Sequence, residues 1–196
     1  MSIVDKAGQH PAPPIAISYD RIARALHWLI AVLAVVVVSL GLAIPEAPRN
    51  TQSRDLLLLM HRSVGLAILA AMVVRLLWRV GHPPPPLPLG FPRPLAWFAG
   101  ANHRCLYLAF LLMPIAGYIN AAAAGHSVSF FGLFTIPPLL PENERLSQIA
   151  IALHLAGQFF VYAFVAAHVA AALMHRFIRR DEILDRMLPA RPAKRN

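Results

Sequence analysis

The stretch HLAGQFFVYAFVAAH, His154–His168, places one histidine at each end of a run that contains no charged residue. In an α-helix, fourteen residues turn through about 1,400°, roughly 40° short of four full turns, so both rings lie on one face. The axial separation is about 21 Å, out of a hydrocarbon thickness of about 30 Å. The stretch therefore predicts a membrane-spanning helix with one imidazole near each membrane surface.

The composition agrees with an integral membrane protein. The chain has 196 residues, 58% of them hydrophobic, and its 18 Lys and Arg against 9 Asp and Glu give a net charge of +9. These cations flank apolar runs, which favours a membrane protein and argues against a nucleic-acid partner. The single Cys105 excludes an internal disulfide framework, a CxxCH haem attachment and a Cys-ligated iron–sulfur cluster.

The hydropathy pattern predicts an all-α bundle of four transmembrane helices in one domain. The polar, proline-broken start of the chain shows no cleavable signal. We expect an N-terminal tail over 1–18, the membrane domain over 19–188 and a basic tail over 189–196. The predicted spans are Ala25–Pro45, Leu56–Gly81, about Pro94–Ala124 with a kink at Pro114, and Leu146–Ile178. A stiff proline linker, 82–94, separates the two halves, and an apolar aromatic loop occupies 125–144.

The distribution of cations predicts the orientation. Fourteen Lys and Arg lie on the side of the termini and the proline linker, and four lie on the other side. By the positive-inside rule, both termini and the linker are cytoplasmic, and the 45–55 and 121–146 loops face outward.

Four histidines form two pairs at matched depths. His27 and His168 lie near the cytoplasmic ends of spans one and four, and His61 and His154 lie near the outer ends of spans two and four. A single histidine near a span end has an equally good explanation as an interfacial residue, but four at matched depths favour ligands.

Haem suits such pairs better than other metals. A diiron site needs carboxylates, and none occurs between Asp55 and Glu142 or between Glu144 and Asp181. Zinc or copper would lack further ligands, whereas the haem macrocycle supplies four nitrogens and leaves two axial positions for imidazoles. The sequence thus predicts two b haems in the bundle core, with iron held by His27 and His168 on the cytoplasmic side and by His61 and His154 on the outer side. The small residues Gly65, Ala67, Ala70 and Ala71 would admit a flat macrocycle, although small residues also serve plain helix packing.

Other polar residues near the cytoplasmic surface are candidates for binding a haem propionate or a quinone. Arg24, Arg75, Arg79 and Arg176 suit propionates, with a positive-inside belt as the favoured alternative. His175, seven residues after His168, is a candidate donor to a quinone carbonyl, and an interfacial role explains it equally well. His103 is a candidate for a hydrogen bond to a propionate or to the quinone, with an interfacial position at a helix start as the favoured alternative.

Several motifs resemble the bacterial cytochrome b561 family, small di-haem, quinone-linked proteins of the inner membrane. The resemblance runs from about Tyr19 to Leu188 and rests on the proline-rich linker, the His-x13-His of span four and four motifs: ALHW, MHRSVGLAILAAMVVRLLWR, MPIAGY and FGLFTIP. It implies the same four haem histidines, ubiquinone as acceptor and a superoxide-oxidising activity. The linker departs from the family pattern, because relatives tend to carry lysines where this chain has Arg93 alone.

The leading hypothesis is therefore transmembrane electron transfer by an oxidoreductase, from a small anionic donor, superoxide in the version the resemblance implies, to membrane ubiquinone. Arg49, Arg54 and Arg62 are candidates for steering the anion to the outer haem. One alternative is a haem b subunit that anchors a peripheral dehydrogenase or hydrogenase. Another is a haem-free transporter or structural bundle, which would be colourless. Membrane lipid is the expected surrounding, and a homodimer is compatible with the sequence.

Overall fold

The computed structural model describes residues 18–88 and 90–188. This part of the chain contains four long helices, each with the length and composition to cross a membrane, as predicted. Their bounds are α1 Arg21–Ala43, α2 Gln52–Gly81, α3 Arg93–Ala123 and α4 Glu144–Leu173. Apart from residue 18, the predicted tails 1–18 and 189–196 lie outside the described residues.

The helices begin where polar side chains can satisfy free backbone amides. Asp20 accepts a hydrogen bond from the amide of Ala23 at 2.9 Å, and Asn143 accepts one from the amide of Leu146 at 3.0 Å. Such side-chain caps stabilise the first helical turn. Three of the helices start a few residues before the predicted spans, because hydropathy marks only the apolar part of a helix whereas the caps are polar.

α3 continues through Pro114 as one helix, with bounds within one residue of the predicted span. One helix departs in detail from the expected spans. α4 ends at Leu173, earlier than the predicted Ile178, and a wider π-helical turn, Met174–Arg179, follows it. A short 3₁₀ turn, Asp185–Met187, comes next.

The two ends of the described chain, near Tyr19 and Met187, meet at one end of the bundle, which we call the terminal end. The amide of Tyr19 donates to Arg186 O at 3.2 Å, and the indole Nε1 of Trp28 donates to Met187 O at 2.9 Å. Arg186 also donates to Pro86 O of the proline linker at 2.6 Å. The linker and both ends of the described chain therefore lie on the same side.

The opposite end, the hairpin end, carries a small antiparallel β-hairpin. Strands β1 Val128–Phe130 and β2 Phe134–Ile136 pair through Ser129 and Thr135. The sequence predicts only an irregular loop here, because strands of three residues are too short to show a period-two pattern. The fully buried Ser63 of α2 anchors the hairpin, since its Oγ accepts the amide of Phe131 at 2.8 Å and lies 3.2 Å from Ser129 O.

The helices pack in two adjacent pairs, α1 with α2 and α3 with α4, joined by contacts between α2 and α3. The apolar core lies between α1, α2 and α3 and includes Ile30, Val64, Ile68 and Met72, with Tyr107 and Phe110 against it. The inward faces of α1, α2 and α4 carry the candidate histidines.

Candidate cofactor-binding sites

Two pairs of imidazoles face each other across the bundle. His27 of α1 and His168 of α4 have ring centroids 6.0 Å apart at the terminal end. His61 of α2 and His154 of α4 have ring centroids 6.0 Å apart at the hairpin end. All four rings are half-buried. The structure thus brings together the histidines that the sequence pairs by depth, and their role as ligands remains a prediction.

The separation suits one metal ion between two imidazoles. With metal–nitrogen bonds of about 2.0 Å, two imidazoles on opposite sides of an ion have centroids about 6 Å apart. Across residues 18–88 and 90–188, no cluster of three or more His, Cys, Asp or Glu side chains is arranged to hold a metal. Two nitrogens per site fit haem, which brings four ligands of its own.

The rings of the hairpin-end pair are fixed by backbone carbonyls. His61 Nδ1 lies 3.1 Å from Val37 O of α1, and His154 Nδ1 lies 2.9 Å from Met113 O of α3. When each Nδ1–H donates to its carbonyl, the tautomer is set and Nε2 keeps its lone pair for a metal. In this tautomer the Nε2 atom of each ring is available to a metal.

Each of these carbonyls is followed four residues later by a glycine. A Cβ on Gly41 would lie 3.2 Å from Cε1 of His61, and a Cβ on Gly117 would lie 3.4 Å from Cε1 of His154. In an α-helix, residue i+4 lies directly above residue i, so a side chain there would crowd the ring that approaches the carbonyl. Two helices thus present the same arrangement, one to each ring.

Glycines also lie near the candidate histidines on α2 and α4, one beside open space and one in close contact with a neighbouring helix. Gly65 lies one turn after His61 on the same face of α2, and no atom lies within 4 Å of the position its Cβ would occupy. At Gly157 of α4, a Cβ would collide with Sδ of Met113. The open space beside Gly65 is a cradle that a side chain would fill, which also fits a flat macrocycle at this end.

A third imidazole accompanies the terminal-end pair. The ring of His103 in α3 lies 5.2 Å from that of His168, centroid to centroid. The sequence favours an interfacial position for His103 at a helix start, whereas α3 begins ten residues earlier, at Arg93. His103 is therefore three turns inside the helix and next to a candidate ligand.

Two arginines of α2 converge on one tyrosine at the terminal end. Arg75 donates from Nε to the hydroxyl of Tyr107 at 3.0 Å and from Nη1 to Ala23 O at 2.9 Å. Arg79 donates to the same hydroxyl at 3.4 Å. Ala23 lies one turn before His27, so Arg75 holds its positive charge beside the terminal-end pair.

His175 is buried at the cytoplasmic end predicted for α4, with 5% of its surface exposed. Its Nδ1 lies 2.6 Å from Oδ2 of Asp181, and its ring stacks on Phe91 of the linker with centroids 5.8 Å apart. The contact with Asp181 and the stacking on Phe91 fix the orientation of the ring. Arg176 lies 3.4 Å from Asp185 instead of pointing at the histidine pair.

The candidate steering arginines lie at the hairpin end in different settings. Arg49 is exposed in the turn between α1 and α2, and Arg62 is half-buried next to His61. Arg54 is also half-buried and donates to Ile44 O at 2.6 Å and Ala47 O at 3.1 Å, so it closes the C-terminal end of α1. At the other end, Arg24 donates to Leu188 O at 2.6 Å and joins the two ends of the described chain.

Comparison with known proteins identifies the family. The family model described as prokaryotic cytochrome b561 matches residues 18–190. The chain belongs to this family. It is 36% identical over 171 residues to cytochrome b561 homolog 2 of Escherichia coli (strain K12), which covers 87% of this chain and 90% of that protein.

Two further relatives align over most of their length. The protein of Yersinia pestis named "Probable superoxide oxidase CybB" is 31% identical over 174 residues, covering 87% of this chain and 96% of the relative. Cytochrome b561 homolog 1 of Escherichia coli (strain K12) is 28% identical over 169 residues, covering 85% and 94%. Membership in the family implies a multi-pass bacterial membrane protein that carries b-type haem and transfers electrons.

Sequence reasoning missed several residues of this cytochrome b561 site. Tyr107 lies one turn after His103 on the same face of α3, a spacing that was available as a signal. Gly41 and Gly117 have no such signal, because glycine is common in membrane helices. Asp181 follows His175 by six residues, and only the π-helical turn brings it back to the ring.

Proposed function

We propose that this chain moves electrons across the bacterial inner membrane through two b haems, from a donor outside the hairpin end to ubiquinone at the terminal end. The observation that carries the proposal is the presence of two imidazole pairs, each with centroids 6.0 Å apart, at opposite ends of one bundle. His154 and His168 lie on the unbroken helix α4, which separates the pairs by about 21 Å along its axis. The chain provides one site near each membrane surface.

The histidines would hold the haem irons in this proposal. His27 and His168 would bind iron at the terminal end, and His61 and His154 would bind it at the hairpin end, through Nε2 in the latter pair. When bound, haem supplies reversible one-electron oxidation and reduction. The apolar helices exclude water from both sites, and the carbonyls of Val37 and Met113 keep the hairpin-end rings in one orientation.

The proposed donor is superoxide, which loses one electron and leaves as dioxygen. The name of the relative from Yersinia pestis supports this choice. Arg49, Arg54 and Arg62 place positive charge at the hairpin end, and such a field raises the local concentration of a small anion. Arg54 stabilises the α1–α2 turn through its hydrogen bonds and also contributes positive charge to this field.

The proposed acceptor is ubiquinone, which takes two electrons and two protons to become ubiquinol, so two superoxide anions are oxidised per quinone. His175 and His103 are the candidate donors to the quinone oxygens, and Arg75 and Arg79 are candidates for binding the quinone or a propionate. The protons come from the terminal-end surface, because the sequence has no Asp or Glu between 56 and 141 or between 145 and 180.

The proposal is tested with purified protein in liposomes that contain ubiquinone. Superoxide is generated in the outer solution, and ubiquinol formation is measured with the hairpin end facing outward. We expect superoxide-dependent quinol formation that slows as salt rises, because exposed charges are screened. Arg49→Gln should lower the rate several-fold. Arg21→Gln, which removes an exposed charge at the terminal end, should leave the rate unchanged.

The result that overturns the proposal is a preparation with two haems that accepts no electrons from superoxide or passes none to ubiquinone. Reduction that requires an added dehydrogenase or hydrogenase would instead support the role of an anchoring haem b subunit.

A further inference from the structure

The two histidine pairs have different hydrogen-bonding partners. Among the four candidate ligands and within the described residues, Nδ1–carbonyl bonds are found for His61 and His154 but not for His27 or His168. The terminal-end pair instead lies beside the guanidinium of Arg75. Because the ring separation is 6.0 Å in both pairs, the difference lies in the surroundings and not in the ligand geometry.

The carbonyl bonds at the hairpin end make the imidazoles more electron-rich. An Nδ1–H that donates to a carbonyl raises the basicity of the ring and its donation to a metal. Stronger donation stabilises the oxidised iron, which carries one more positive charge than the reduced iron, so it lowers the midpoint potential.

The glycines make these bonds possible. Cβ atoms at Gly41 and Gly117 would lie 3.2 Å and 3.4 Å from the ring atoms of His61 and His154, at or below the usual contact distance. Each ring would have to retreat from its carbonyl if a side chain replaced the glycine hydrogen. Gly41 and Gly117 are therefore positioning residues that act through the histidines.

Arg75 has the opposite effect at the terminal end. Its guanidinium is half-buried and held by Ala23 O and the Tyr107 hydroxyl, and the described residues offer it no carboxylate. A cation in a low-dielectric interior stabilises the reduced, less positive iron more than the oxidised iron. It therefore raises the midpoint potential of a metal centre beside it.

The charge of Arg62 acts against this difference in midpoint potential. Arg62 follows His61 directly in the sequence, so a positive charge also lies near the hairpin-end pair. Adjacent helical residues point about 100° apart, so Arg62 is directed away from the ring that faces His154. Arg62 is half-buried, and within the described residues no hydrogen bond holds its guanidinium, so its position is less fixed than that of Arg75. Arg75 is fixed at its site, so its charge is the more effective of the two.

We infer that the chain itself gives the hairpin-end haem a lower midpoint potential than the terminal-end haem, through the carbonyl–glycine contacts of His61 and His154 and the fixed charge of Arg75. This inference rests on the proposed function and gives it a direction: electrons move downhill from the outer donor toward the quinone side.

The test is a spectroelectrochemical titration of the purified holoprotein at fixed pH. We expect two components, of which the lower-potential one is missing from His154→Ala and the higher-potential one is missing from His168→Ala. Gly41→Ala and Gly117→Ala should raise only the lower potential. Arg75→Gln should lower only the higher potential, by a roughly tenfold change in the reduction equilibrium, which is about 59 mV for one electron.

Two controls match these changes. Gly81→Ala adds the same methyl group to α2 in open space at the terminal end, and Arg93→Gln removes an exposed charge. Neither should move either potential. If a glycine variant loses its haem, the order of the wild-type components and the Arg75→Gln shift still decide the question.

The inference is overturned if the wild type has two haems of equal potential or in the reverse order, or if the glycine and arginine variants shift potentials no more than their controls. A preparation with fewer than two b haems contradicts the proposed function itself, which separates the two failures.

Discussion

The hairpin-end and terminal-end histidine pairs have the same ring separation, 6.0 Å, but the groups around them differ. His61 and His154 are held by the backbone carbonyls of neighbouring helices, which approach closely because glycines follow those carbonyls. The terminal-end pair lies near the charged side chain of Arg75 and the polar side chains of Tyr107 and His103. The spacing of the histidines determines where a cofactor can bind, and the groups around them influence the midpoint potential of that cofactor.

The two ends also differ in how they are closed. The hairpin end is tied by Ser63 to the β-hairpin and by Tyr118, whose hydroxyl donates to Pro137 O at 2.8 Å. The terminal end is closed by the chain itself, through Arg24, Trp28 and Arg186. The β-hairpin therefore covers one end of the bundle, and the two ends of the described chain cover the other.

Gly65→Leu should have the largest effect on the comparison, because it fills the open space one turn from His61. We expect haem content to fall from about two per chain to about one, with the hairpin-end component lost, since overpacking displaces a bound macrocycle. Haem is measured as the pyridine haemochrome per mole of protein. Gly81→Leu, on the same helix and also in open space, is the control, and full haem content in Gly65→Leu would contradict the location of the cradle.

Ser63→Ala should destabilise the hairpin end. It removes the acceptor of the Phe131 amide at a fully buried position, and an unsatisfied buried donor costs about 1–3 kcal/mol of unfolding free energy. Thermal unfolding in detergent measures the loss, and the hairpin-end haem should be released first. Ser39→Ala, where the hydroxyl bonds only to Val35 O on an exposed helix face, should change stability little. Equal losses in both variants would refute a specific role for the hairpin.

Tyr107→Phe tests how far the tyrosine hydroxyl contributes to the midpoint potential at the terminal end. It removes the hydroxyl that accepts from Arg75 and Arg79, so the Arg75 charge becomes less fixed. We expect the terminal-end potential to fall by less than in Arg75→Gln, with the hairpin-end potential unchanged. Tyr118→Phe is the matched change at the other end of α3, and a shift of the terminal-end component there would contradict the assignment.

Asp20→Ala should have the smallest effect, a loss of about 1 kcal/mol, because it removes the cap of α1. Partial burial tends to raise the pKa of Asp20, but hydrogen bonds from the Ala23 amide and the Trp78 indole outweigh it, and the pKa lies below the usual 3.8. The ionised cap therefore stabilises the fold above pH 3.8, and this contribution is lost as the pH falls through the lowered value.

Unfolding curves of wild type and Asp20→Ala should converge at low pH. Asp20→Asn, which retains an acceptor without a charge, should remain close to the wild type at neutral pH. A pH-independent difference between wild type and Asp20→Ala would contradict this account of the cap.

Hydropathy and helical periodicity were sufficient for the four spans and for the pairing of histidines by depth. Charge-free runs of about twenty residues have few other structures available, and a fourteen-residue spacing fixes two rings on one helix face. Both features are local in the sequence, so no tertiary information is needed to read them.

The surroundings of the pairs depend on contacts between helices, which the sequence does not display. The acceptors Val37 O and Met113 O are backbone atoms, so their residue types carry no sign of the role. His103 is predicted at an interfacial helix start, whereas α3 begins ten residues earlier, at Arg93, and the approach of His103 to His168 is a contact between helices. The contact of Asp181 with His175 depends on a π-helical turn, which has no sequence signature.

The central claim is that each histidine pair holds one b haem, and the most direct test counts haems in three proteins. Pyridine haemochrome assays and reduced-minus-oxidised spectra are taken on the wild type, His154→Ala and His168→Ala. The account predicts two haems per chain in the wild type and one in each variant, with a different spectral component missing from each. A colourless protein, a single haem in the wild type, or the same component missing from both variants would contradict it.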